Sequence, residues 1–171
     1  SNPTGTPTLF GDLNPAYPSE FQAFSEERLF GVLGSTVLDI FFFVPGTNTP
    51  ASVTEFGAVF VDNTGSSFPA CGSMQAFNGD QSLGFFCAPP SPSGGLSFRG
   101  LAATADDVFT RIRFNLGTAP LGVTQSPTSE VVVMDDFIYS EPQGPASVPE
   151  PATLALLGLG LAGLGFSRRK Q

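Results

Sequence analysis

Between Phe21 and Tyr139 no segment holds a 3.6-residue apolar period, and short apolar runs follow one another instead, each closed by a cluster of turn-forming residues. A helix needs a sustained amphipathic stripe, whereas runs of this length bounded by Gly, Pro, Asn and Asp are the signature of strands. Thr36–Val44 closes at Pro45-Gly46, and Phe56–Val61 closes at Asp62-Asn63-Thr64-Gly65. Leu96–Leu101 follows Ser93-Gly94-Gly95, and Glu130–Tyr139 is the last run of the series. Val108–Leu116 alternates, with Thr110, Ile112, Phe114 and Leu116 on one face and Arg111, Arg113 and Asn115 on the other. With a pair around Cys71–Cys87 and an edge around Arg28–Leu33, the expectation is about eight strands. Strands this apolar suit two packed sheets. The expected fold is all-β, a jelly-roll-like antiparallel β-sandwich over residues 1–139.

Composition narrows the function. Charged residues are only 13% of the chain while Gly 20 and Pro 16 are high, which fits polar uncharged loops between strands. A net charge of −8 leaves nothing to neutralise a run of phosphates, so no nucleic-acid partner is expected. The chain has no histidine, which removes the commonest general base and the commonest transition-metal ligand. No nucleophile elbow, phosphate loop, dinucleotide fingerprint or zinc spacing occurs, and the expectation is a protein that is not an enzyme. The aromatics are 18 Phe, 2 Tyr and no Trp. Phe has no polar tip and suits a dry core, and the lack of Trp lowers, without excluding, a sugar-stacking surface. A contiguous exposed Phe patch on one sheet face would favour binding.

Two sites stand out within the domain. Cys71 and Cys87 are the only cysteines, and Asn78-Gly79-Asp80 between them is a hairpin signal. If the hairpin centres on Gly79, the two lie on facing positions of neighbouring strands, within reach of a disulfide. Two independent buried thiols are the alternative, and a one-residue bulge breaks the alignment. Asp135-Asp136 interrupts an apolar strand. Neighbours in a strand point to opposite faces, so each carboxylate has apolar company, and an unpaired buried carboxylate is costly. One reading is a structural Ca²⁺ site, with an Asp ligand and further oxygens from a loop such as Gly11–Asn14. In the other, one Asp faces solvent and its neighbour meets Arg111, Arg113 or backbone N–H groups. Glu26-Glu27 and Asp106-Asp107 read as solvated surface.

The C-terminal end is organised differently. Ser140–Val148 is rich in Pro, Gly and Ser and reads as an extended linker. Pro149-Glu150-Pro151 follows, then the uncharged Ala152–Phe166, then Ser167-Arg168-Arg169-Lys170-Gln171. As a helix, 152–166 spans about 22 Å, short of a ~30 Å hydrocarbon core, which snorkelling and local thinning partly cover. Arg168, Arg169 and Lys170 place that end in the cytoplasm and the domain outside. Proline on both sides keeps Glu150 out of a helix and presents an extended strand to a protease.

Motif, short Gly/Leu-rich helix and basic cluster, in that order, resemble the PEP-CTERM sorting signal of Gram-negative bacteria that make extracellular polysaccharide. The resemblance covers Val148–Gln171. It implies recognition by exosortase, a membrane-embedded transpeptidase, with cleavage near Pro149-Glu150-Pro151. It also implies a transient stay in the inner membrane before that cleavage, then the cell surface or exterior, in association with exopolysaccharide or biofilm. Phe56–Asp62, Gly95–Phe98 and Val133–Tyr139 also resemble a β-sandwich ectodomain of unassigned function common among such proteins. Relatives carry a further segment before the part seen here, so this resemblance implies an N-terminally truncated sandwich, the other reading of Ser1 being a removed signal peptide. The alternative function is a carbohydrate-binding module on a Ca²⁺-stabilised jelly roll.

Overall fold

The computed structural model describes residues 8–25, 28–104, 106–122, 126 and 128–145. Eight strands follow one another: β1 Val37–Phe43, β2 Pro50–Ala51, β3 Glu55–Val61, β4 Gly72–Asn78, β5 Gln81–Cys87, β6 Leu96–Ala102, β7 Arg111–Leu116 and β8 Val133–Tyr139. They form a five-stranded sheet in the order β2-β1-β7-β4-β5 and a three-stranded sheet in the order β6-β3-β8. Every strand pairing is antiparallel. The all-β expectation holds. Two details differ from it. Arg28–Leu33 makes no strand, only bridges from Phe30 to Met134 and from Leu33 to Leu121, and the eighth strand is Pro50–Ala51. Short helical turns at Thr8–Phe10 and Tyr17–Glu20, which carry no sustained apolar period, precede the sheets.

The sheets pack face to face because each strand turns alternate residues inward. In β1 the even positions Leu38, Ile40 and Phe42 meet the core, while Val37, Phe41 and Phe43 are exposed. Beside them in the same sheet are Ile112, Phe114 and Leu116 of β7 and Met74 and Ala76 of β4, and opposite stand Phe56, Ala58 and Phe60 of β3. Phe114 is the hinge of this core. Its ring meets Phe56 and Phe60 across the sheet gap at centroid distances of 5.9 and 5.8 Å. Side chains so placed make the burial-driven contacts that hold two sheets together. A second, smaller core gathers Tyr17, Phe21 and Leu29 from the N-terminal segment against Val61, Val131 and Val133.

Two bulges set the positions that matter below. In β4–β5 the register changes between Ala76 and Phe77, opposite Leu83 and Gly84, the latter at φ 141°. In β3–β8 it changes between Ala58 and Phe60, so Asp135 and Asp136 both lie opposite Val59. The chain also stays docked beyond Tyr139. The Ser140 hydroxyl accepts from the Thr54 N–H, and Gln143 exchanges two backbone hydrogen bonds with Ser52. The expected solvated linker from Ser140 is therefore part of the sandwich as far as Gln143, because it covers the end of the short β2 edge.

Candidate functional site

Cys71 and Cys87 are bonded, with their Cα atoms 5.7 Å apart. The register differs from a hairpin centred on Gly79. Asn78 pairs with Gln81 across a Gly79-Asp80 turn, and after the bulge Cys87 pairs with Ser73. Cys71 lies two residues beyond Ser73, so it is Cys87's diagonal neighbour. Side chains alternate with period two, so this even displacement keeps both sulfurs on one face.

The bulge also decides Asp135-Asp136. Strict alternation would send the carboxylates to opposite faces; two residues opposing one breaks it. Both reach Ser25, whose hydroxyl donates to Asp136 Oδ1 at 2.6 Å and lies 3.3 Å from Asp135 Oδ1. Asp135 is only 2% exposed, and its Oδ2 accepts from the Phe24 N–H at 2.5 Å and the Ser25 N–H at 3.2 Å. This is the backbone N–H arrangement, one of the two readings of the sequence. Donors aimed at a carboxylate stabilise its charge, so the set anchors the 24–25 segment to β8. Among the described residues no three His, Cys, Asp or Glu side chains converge where they could hold a metal ion. Arg111 and Arg113 turn elsewhere.

They turn to the outer face of the five-stranded sheet. Register places Phe41 beside Arg111 and Arg111 beside Phe77, with Asp39, Arg113 and Gln75 in the next row. Arg113 donates twice to Asp39, at 2.8 and 2.7 Å, holding its carboxyl below the usual carboxylate range. The Arg111 guanidinium lies over the Phe77 ring, 3.8 Å from its centroid, and only 3.7 Å from the same Asp39 carboxylate. Where β1, β7 and the Gly79-Asp80 turn meet there is an open groove of about 690 Å³, lined by Phe41, Phe43, Asp80, Thr110, Arg111 and Gln143 among others. Phe41 is 58% and Phe43 49% exposed. Sequence reasoning that placed Phe in a dry core missed this aromatic surface. The available signal was Asp39, a charge at the same strand parity as Phe41 and Phe43, which marks that parity as the outer one.

Pro149, Glu150, Pro151, the 152–166 segment and Arg168, Arg169 and Lys170 lie outside the described residues. Among the described residues no helix is long and apolar enough to cross a membrane. The C-terminal region is identified by its sequence instead: the family model of the PEP-CTERM protein-sorting motif matches residues 147–170. The chain carries a PEP-CTERM sorting signal. That signal marks an exported protein, sorted by exosortase to the surface of a Gram-negative cell. The match begins just after the last described residue of the all-β domain, 145, so it identifies the tail and assigns that domain no function. No curated protein and no solved structure matches the chain.

Proposed function

We propose that this is a non-catalytic surface protein, cut by exosortase near Pro149-Glu150-Pro151 after a transient stay in the inner membrane, and kept in the extracellular polysaccharide by its sandwich. The observation that carries the export half is the match to the sorting motif over residues 147–170. Prolines on both sides of Glu150 disfavour a helix there, and the uncharged run 152–166 is short for a permanent anchor, which supports cleavage over retention. Retention by polysaccharide, the carbohydrate-binding reading, is favoured by the exposed Phe41 and Phe43 rings beside Arg111 on one sheet face. Strand order supports a jelly roll. The chain changes sheet between β2 and β3, β3 and β4, β5 and β6, β6 and β7, and β7 and β8, and Phe30 bridges β8 where a further strand of the small sheet would lie.

Replacing Pro149, Glu150 and Pro151 by alanines tests the sorting step. Full-length protein should accumulate in the inner membrane, because the hydrophobic segment remains while the extended site is lost. Neutral residues at 168, 169 and 170 should instead disturb orientation and insertion. Processing of the triple-alanine variant at the native rate, read by immunoblot of membrane and released fractions, overturns the sorting role of the motif.

A further inference from the structure

Resting on the reading of a polysaccharide-retained surface protein, we propose that the groove at the end of the five-stranded sheet binds an acidic polysaccharide, with Arg111 receiving a uronate carboxylate and Phe41 and Phe43 carrying the apolar faces of sugar rings. Three observations converge. Arg111 contacts Asp39 only as an ion pair at 3.7 Å and makes no hydrogen bond to any described residue, whereas Arg113 donates to both Asp39 oxygens. Its guanidinium lies over the Phe77 ring, 3.8 Å from the centroid, and its side chain is only 19% exposed. A planar fork of donors over Phe77, whose one described ionic contact is Asp39 at 3.7 Å, keeps N–H groups to offer a carboxylate and matches it in charge and geometry.

The rest of the groove fits a sugar better than a free anion. Phe41 and Phe43 sit two positions apart on one strand, about 6.8 Å along it, so they offer two successive apolar platforms. Asp80 and Gln143 at the lining supply acceptors and donors for hydroxyl groups. The site is an open groove rather than an enclosed cavity, which admits a segment of a polymer as well as its end. Charge adds selectivity. The chain carries a net charge of −8, so an acidic polymer is repelled by most of it. Arg111 is the cation that the groove lining offers it, Arg113 being paired with Asp39 and Asp80 of the lining being left for hydroxyl groups.

The full chain, purified in detergent, can be titrated calorimetrically at low salt with tetragalacturonate and, as the neutral counterpart, cellotetraose. Tetragalacturonate should bind about tenfold more tightly than cellotetraose, and added salt should erode that difference. Arg111→Gln should abolish the preference, leaving both oligosaccharides alike. Phe41→Ala, at an exposed position where folding is not at stake, should weaken both about tenfold. Phe98→Ala, on the other sheet, should change neither. Equal affinity of the native chain for the two probes, or no binding of tetragalacturonate at all, overturns the proposal, and so does an Arg111→Gln chain that melts normally and keeps the preference. Export is read separately by surface labelling of cells. An exported chain that ignores the acidic probe ends the subsite but not the sorting, whereas a chain trapped in the cytoplasm does the reverse.

Discussion

Asp62 occupies the left-handed region at φ 60°, just after β3, and its Oδ1 accepts from the Gly94 N–H at 2.6 Å. Burial raises its carboxyl above the ordinary value; the Gly94 hydrogen bond opposes this, and the nearby Glu130 adds to it. A carboxyl raised in the fold binds a proton more readily there than in the unfolded chain. Its ionised form therefore costs stability at neutral pH, and the cost disappears as pH falls below the unfolded value. Asn tolerates the same backbone and keeps the acceptor. Asp62→Asn should raise stability at pH 7 by about 0.5 kcal/mol after allowance for solvent screening, a gain that fades towards pH 4 in thermal melts. Asp39 behaves oppositely. Hydrogen bonding from Arg113 lowers its carboxyl, so its contribution is present above the unfolded value near ~3.9 and is lost as pH falls through the lower folded one. Asp39→Asn should thus cost about 1 kcal/mol or less at pH 7 and nothing once the native Asp39 is itself protonated.

At the scale of elements, the β8 bulge ties the segment before β1 to the small sheet. Asp135→Ala removes the acceptor of two backbone N–H groups and should cost about 1–3 kcal/mol. Because those donors already satisfy the carboxylate, EGTA should leave the melting temperature unchanged; a fall of several degrees restored by Ca²⁺ would return the metal reading. The Ser140–Gln143 segment gives a second prediction. Gln143→Pro deletes the N–H that bonds Ser52 O at 2.8 Å and should loosen β2, with faster amide exchange at Ser52 and little change in β4 or β5. The same change disturbs one wall of the groove, so sugar binding and β2 protection should fall together.

For the whole molecule the disulfide is the largest single covalent constraint. It closes a loop with a sequence separation of 16, which in the chain-entropy picture corresponds to about 3 kcal/mol. Cys71→Ala with Cys87→Ala should lower stability by about 2–4 kcal/mol, and mass spectrometry of the native exported protein should find no free thiol. A gain or no change in the urea midpoint would mean that the unfolded chain is already restricted there.

The sequence alone determined what depends on local chemistry. Short apolar runs ended by turn residues marked seven of the eight strands, the alternation in Arg111–Leu116 named its two faces, and the sorting signal is a linear motif that needs no fold to be read. What it could not determine is whatever depends on a register. Cys71 and Cys87 were paired correctly, but on a hairpin centre that the bulge displaces, and only the even size of the displacement kept the sulfurs together. Asp135 and Asp136 were separated by an alternation that a bulge cancels. The groove at Phe41, Phe43 and Arg111 draws on residues distant in the chain, and only the pairing of β1 with β7, and of β7 with β4, brings them side by side. A strand's own period says which residues share a face; its neighbours, and any one-residue slip against them, are chosen by the packing of the two sheets.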